Sequence, residues 1–175
     1  LVMRAEYSFE DLQDPGTDLA IRVGRVNDDR LVARPLGQFR RFLVAAPDLA
    51  RSAALSHPHA LENQPCLTFR GDRPEATWRF ENGETRTSVD VGGPIAVRSF
   101  NILLELVRAQ QGFGFLPAFM LDDDLRTGAL QRCLPDWTSP GSPVLLTYRP
   151  GLRNIARIAA VLDAAQEILP GLLDP

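Results

Sequence analysis

Ser99-Phe100-Asn101-Ile102-Leu103-Leu104-Glu105-Leu106-Val107-Arg108-Ala109-Gln110-Gln111-Gly112-Phe113-Gly114-Phe115-Leu116-Pro117 is the stretch on which the fold class turns. Phe100, Leu103, Leu104 and Val107 recur at i, i+3, i+4 and i+7, which puts them on one face of a helix. Ser99 is placed to cap that helix and Gly112 to stop it. Residues 112–117 then form a short apolar run ending on proline, the pattern of a brief strand. Strands alternating with amphipathic helices make an α/β protein.

Upstream of Ser99 the period is that of strands. Cys66–Phe69, Thr77–Phe80 and Thr87–Val91 are separated by Gly71, by Asn82-Gly83 and by Gly92-Gly93-Pro94. Asn-Gly between two such runs predicts a hairpin. Further out, Asp18–Gly24 suits a buried strand, and 31–36 and 40–45 suit two more. Leu1–Tyr7 is another strand candidate, followed by a polar stretch with a turn at Pro15-Gly16. Residues 48–54 read as a short helix, and 56–65 as a polar loop holding both histidines. Downstream, 118–125 reads as a helical turn or two and Val144–Tyr148 as a strand. A last helix from about Asn154 carries Ile155, Ile158, Ala159, Leu162, Ala165 and Leu169 on one stripe and ends at Pro170.

Composition removes whole classes of function. The chain has 175 residues, 45% of them hydrophobic and 23% charged, a globular balance. Its 19 basic and 22 acidic residues leave a charge of −3, the wrong sign for gripping nucleic acid unaided. All the basic residues are arginine, so a Walker-type phosphate loop, a Schiff-base lysine and a lysine general base are excluded. Two histidines, His57 and His59, cannot make a multi-histidine metal site. Cys66 and Cys133 fit no CxxC or disulfide spacing and read as buried reduced thiols of a cytoplasmic protein. No apolar run reaches the length of a membrane span, and no basic-then-apolar leader opens the chain.

The remaining motifs are weak as chemistry. His57-Pro58-His59 lacks a third ligand and reads as a solvated loop. Asp122-Asp123-Asp124 reads as a solvated charge cluster at a helix start. Gly112-x-Gly114 lacks the third glycine of a dinucleotide fingerprint. No paired carboxylates, GxSxG or HExxH stand in the chain, so binding without a cofactor is expected rather than catalysis. Ser99, Phe100 and Asn101, beside Arg98, open a helix whose free N–H groups favour a carboxylate, with a simple cap as the bland alternative. Thr68 and Arg70 at a strand end offer a hydroxyl and a guanidinium fork. Phe115 and Pro117 offer an apolar wall, with core packing the equal alternative for Phe115.

Taken in order, Asp18–Gly24, Leu31–Leu36, Leu43–Ala50, His59–Phe69, Trp78-Arg79-Phe80, Gly112–Pro117, Leu125–Leu134 with Pro135-Asp136-Trp137, and the strand ending at Tyr148 resemble the effector-binding domain of LysR-type transcriptional regulators. The resemblance covers essentially the whole chain. It implies an α/β fold like the type 2 periplasmic binding proteins, with two subdomains joined by crossing strands and a small effector, a carboxylate or aromatic acid, in the cleft between them. Carried onto this sequence, residues 1–37 plus 144–175 form one subdomain and 38–143 the other. Effector contacts fall on Thr68, Phe69 and Arg70, on Ser99, Phe100 and Asn101, and on Phe115, Leu116 and Pro117, with Val23 and Gly24 a weaker match.

The family also implies a homodimer or homotetramer and contacts with promoter DNA and RNA polymerase. The DNA contacts run through an N-terminal winged helix-turn-helix and a linker helix that this sequence does not show. The effector domain's first strand and helix are likewise expected ahead of Leu1, so the fold is expected to be incomplete at its N-terminus. The alternative function is a solute-binding protein for transport, which shares the fold and requires an export signal. An enzyme in the same cleft and a ligand-free dimerisation fragment are further rivals.

Overall fold

The computed structural model describes residues 17–26, 28–69 and 77–173; the strand expected at Leu1–Tyr7, the Pro15-Gly16 turn, Arg70 and Gly71 lie outside these. In chain order the strands are β1 (Leu19–Val23), β2 (Val32–Phe39), β3 (Arg41–Ala45), β4 (Cys66–Phe69), β5 (Thr77–Asn82), β6 (Thr85–Asp90), β7 (Ala96–Val97), β8 (Phe113–Pro117), β9 (Gln131–Cys133) and β10 (Ser142–Tyr148). The helices are α1 (Pro47–Ala53), α2 (Phe100–Arg108), α3 (Asp122–Thr127), α4 (Ala156–Ile168) and α5 (Pro170–Leu173). The chain divides into a terminal unit, Leu1–Phe39 with Gly141–Pro175, and a central unit, Arg40–Pro140.

The central unit is built on a five-stranded sheet in the order β7-β4-β8-β3-β9. β4 runs parallel to β7 and β8, while β3 runs antiparallel to β8 and β9. Apolar side chains leave both faces of this sheet. Leu43, Cys66, Phe113 and Phe115 point to one side, where Trp78, Phe80 and Val89 of the β5–β6 hairpin close over them. Val44, Leu67 and Leu116 point to the other, where Leu103, Leu104 and Val107 of α2 cover them. Two glycines set the close contacts. A Cβ on Gly114 would lie 2.5 Å from Val107 Cγ2, so glycine there lets α2 lie close against β8. Gly83 takes φ +57° at the first central position of the two-residue hairpin turn between Asn82 and Thr85.

Helix α2 begins where the spacing predicts, but it ends earlier. The cap falls on Ala109, and Gln110 adopts φ +60°. Gln111 N–H donates to Leu106 O and Gln110 N–H to Val107 O, the paired bonds of a Schellman ending. Gly112, expected as the stop, has φ +156° and opens β8, where a Cβ would strike Pro65 O at 2.4 Å.

Two other expectations are corrected. Residues 56–65 are not a plain solvated loop: Pro58–Asn63 is a 3-10 helix with Pro58 and Leu61 buried. Within it His57 lies edge-on to Trp137, and His59 sits between Glu62 at 2.9 Å and Thr87 at 3.1 Å. The acidic triplet is not uniformly solvated. Asp124 is buried and accepts two hydrogen bonds from Arg108, Nε at 2.8 Å and Nη2 at 2.7 Å, which pins α3 to α2. Strand β9, three residues long, is too short for any period to announce it. Both thiols are free and buried; burial pushes Cys66 up to about 12 and Cys133 up to about 11.

The terminal unit's described strands form an antiparallel sheet, β1-β10-β2. Leu36, Phe39, Val144, Leu146 and Tyr148 pack there with Ile158 and Leu162 of α4. β1 is a strand as expected, yet it is not buried: Ile21 is 52% and Val23 47% exposed. Its described partner is β10 alone, so one edge of β1 carries no described strand.

Candidate functional site

In the central unit the parallel strands β4 and β7 finish side by side, with Thr68 opposite Ala96 and Phe69 opposite Val97. Two residues beyond Val97 the chain turns into α2. Carboxyl ends of parallel strands facing a helix N-terminus are where α/β sheets ordinarily hold ligands. Ser99 is the cap, its Oγ accepting the Ile102 N–H at 3.5 Å. That is a long contact, and the N–H groups of Phe100 and Asn101 at the first turn have no partner within the helix by geometry. They and the helix dipole give this point a partial positive charge.

Around this opening the structure gathers most of the residues read from sequence. The Phe69 ring lies parallel to Phe100, centroids 4.1 Å apart at 8°. Asn101 is exposed, Ser99 and Phe100 are half-buried, and Thr68 is 9% exposed with its N–H on Ile95 O. Pro117, at the end of β8, stands opposite Arg41 in the ladder. The guanidinium carbon of Arg41 lies 5.6 Å from the centroid of Phe100. Sequence reasoning missed Arg41. It stands 59 positions before Phe100, and no local pattern joins the two. A backbone clasp holds its strand, with Arg41 N–H on Ser139 Oγ at 2.8 Å and Ser139 N–H on Arg41 O at 3.1 Å.

Two expected side chains go elsewhere. Phe115 is 4% exposed and packs between Trp78 and Phe80, at 5.3 and 4.7 Å, so the core-packing alternative describes it and not the apolar wall. Leu116 is fully buried under α2. Any contact either makes with a ligand must come from its backbone. Val23 and Gly24 belong to the terminal unit, where Gly24 has φ +98° and donates its N–H to Pro143 O. Among the described residues no cluster of three or more metal-ligating side chains forms. The arrangement has a cap hydroxyl, helix N–H groups, an arginine and two stacked rings, the donor groups and apolar faces that a planar acid would need.

Comparison with known proteins settles the family. The model of the LysR substrate binding domain matches residues 2–170. The chain belongs to that family. Similar curated proteins include the HTH-type transcriptional regulator PtxR of Pseudomonas aeruginosa, 29% identical over 168 residues, which are 95% of this chain and 54% of PtxR. Among solved structures, the regulatory domain of CrgA, a LysR-type transcriptional regulator from Neisseria meningitidis, superposes with a TM-score of 0.79 at 25% identity, covering 93% of this chain and 80% of that one. A variant AphB regulatory domain from Vibrio vulnificus gives a TM-score of 0.79 at 21% identity, covering 91% and 80%, and this likeness concerns the fold alone.

The LysR substrate binding domain therefore has the α/β, type 2 periplasmic-binding-protein-like fold. Its family is one of transcriptional regulators, which removes the ground for the transport alternative. The chain spans about half the length of the curated relatives it matches. No helix among the described residues is long and apolar enough to cross a membrane.

Proposed function

We propose that this chain is the effector-sensing part of a LysR-type transcriptional regulator, binding a small carboxylate or aromatic acid without turning it over. The observation that carries the reading is the opening of α2 at the ends of β4 and β7, with Phe69 stacked on Phe100 and Arg41 beside them. The acid's carboxylate meets the N–H groups of Phe100 and Asn101 and the Ser99 hydroxyl. Its ring or chain lies along Phe69, Phe100 and Pro117, with Thr68 flanking. Residues 1–37 plus 144–175 and 38–143 act as the two effector subdomains.

In the complete regulator, a cytoplasmic homodimer or homotetramer, the effector favours one arrangement of the subdomains. That choice changes how a helix-turn-helix outside this chain contacts promoter DNA and RNA polymerase. A switch from mostly off to mostly on needs about 5 kcal/mol of differential affinity. The test is titration calorimetry of a panel of small acids against the parent domain and its Ser99→Ala, Arg41→Ala and Arg70→Ala variants. Loss of at least tenfold in affinity for the Ser99 and Arg41 variants is expected. An acid that binds the parent and binds all three variants equally well would overturn the site.

A further inference from the structure

β9 is an edge of the five-stranded sheet, with β3 as its described partner. Two bonds show which way the backbone groups point. Arg41 O accepts the Ser139 N–H, on the β9 side, and Arg40 O accepts the Ala118 N–H, on the β8 side. Backbone groups alternate sides along a strand, so Leu43 and Ala45 bond to β9 and Val44 to β8. Leu43–Cys133 and Ala45–Gln131 are then the hydrogen-bonded pairs of the β3–β9 ladder. Between them, the N–H and C=O of Arg132 point away from β3, out of the sheet edge. The open stretch is short. Before it the Leu130 N–H donates to Asp124 O at 3.2 Å, and after it the Trp137 N–H donates to Leu134 O at 2.9 Å.

A groove of about 240 Å³ runs along this stretch, lined by β9 with Leu134 and Pro135 and by Ala50, Arg51, Ala54 and Leu55 of α1 and its C-terminal turn. Ala50 and Leu55 pack with Cys133 in the core on the hairpin face of the sheet. The groove therefore opens on that face. The Arg132 guanidinium is on the other, its carbon 3.7 Å from the Phe42 ring centroid. A free backbone donor and acceptor beside an apolar groove are what an edge strand needs to take up an extended peptide: main-chain bonds supply affinity and alternate side chains specificity. Arg51 stands exposed at the rim, and its ion pair with Asp48 is a weak surface one. A second copy of this chain fits less well, because two β9 edges paired about Arg132 would set two arginines directly opposite.

We propose that β9 and α1 form a docking groove for an extended, acidic segment of a partner protein. The segment pairs antiparallel with β9, its main chain bonding the N–H and C=O of Arg132. An apolar side chain enters the groove over Ala50, Ala54, Leu55 and Leu134. A carboxylate two residues along, on the same face of the added strand, reaches Arg51. The surface is separate from the opening of α2 and stands whether or not an acid binds there.

The probe is the peptide acetyl-Glu-Thr-Val-Thr-Glu-amide, titrated into the ¹⁵N-labelled chain and followed by backbone amide shifts. Saturable shifts at Ala50, Leu55, Gln131, Arg132 and Cys133 are expected, with slower solvent exchange of the Arg132 amide hydrogen. Methylating both threonine nitrogens of the peptide removes its donor to Arg132 O and should weaken it at least tenfold. Replacing both glutamates by lysine should weaken it at least fivefold. On the protein side, Ala54→Asp narrows the groove and repels the segment, and a loss of at least fivefold is expected. Ala54 is exposed at φ +44°, a conformation aspartate tolerates, so this variant keeps the fold. The proposal is overturned if those amides do not move, or if the methylated or the lysine peptide binds as well as the parent peptide. It is also overturned if the same amides shift with protein concentration in the absence of peptide, which would give the groove to a second copy.

Discussion

β8 in the central unit and β1 in the terminal unit are both five-residue apolar strands, and they end in opposite surroundings. All five residues of β8 are buried, whereas β1 is half-exposed along its length. Composition does not separate Phe-Gly-Phe-Leu-Pro from Leu-Ala-Ile-Arg-Val; neighbours do. β8 lies between β4 and β3 and is covered by α2 on one face and the β5–β6 hairpin on the other. β1 has β10 as its described partner, and Ile21 and Val23 stand in solvent. An apolar run therefore identifies a strand without saying whether it will be an inner one.

Both tryptophans, Trp78 and Trp137, fall in the central unit, so their fluorescence reports that unit while circular dichroism reports both. The difference between the units can be tested with these two signals. The largest effect is expected from Leu67→Ala, which empties a fully buried position between sheet and α2 and should cost about 3 kcal/mol in a urea melt followed by tryptophan. A fluorescence midpoint that does not move would mean that the core on the α2 face is not what holds the unit together.

Alkaline pH comes next. Cys66 and Cys133 ionise near 9.0 when unfolded and at about 12 and about 11 when folded. The unfolded chain then binds fewer protons above pH 9, so the contribution is intact below that value and declines as pH rises toward 11–12. Each thiol should cost the central unit about 2 kcal/mol by pH 11, and Cys66→Ala should remove about half of the combined dependence. At pH 8 both thiols should react with an aromatic disulfide only after urea unfolds the domain.

Gln110→Gly acts in the other direction. It relieves a left-handed backbone position at the end of α2 and should gain about 0.5–1 kcal/mol, or roughly 2 °C in melting temperature. Ile21→Thr, on the exposed side of β1, should change stability by less than about 0.5 kcal/mol. A large loss there would show that something covers β1 in solution.

What the sequence makes legible follows range of interaction. β4, β8, the hairpin and the start of α2 are set by local period, turn residues and a cap, and each was readable within a few positions. Ser99 and Phe100 are neighbours at the start of α2 and were readable as such, whereas Phe69 joins them through the pairing of β4 with the two-residue β7, which no local pattern announces. Arg41 beside Phe100, and Arg108 on Asp124, are contacts across the sheet or between helices. The hydrophobic pattern says nothing about them. The polar run at 56–65 misled because one leucine, Leu61, was enough to bury a turn that is otherwise hydrophilic.

The absence of a side chain at Gly114 has a mechanical consequence. Val107 lies so close to the β8 backbone that α2 cannot slide along or tilt away from the strand without collision or an open gap. Helix and strand behave as one stiff lever, with the Ser99 end as its point of load. Under the proposed function, a molecule settling at that end would load β8 together with α2.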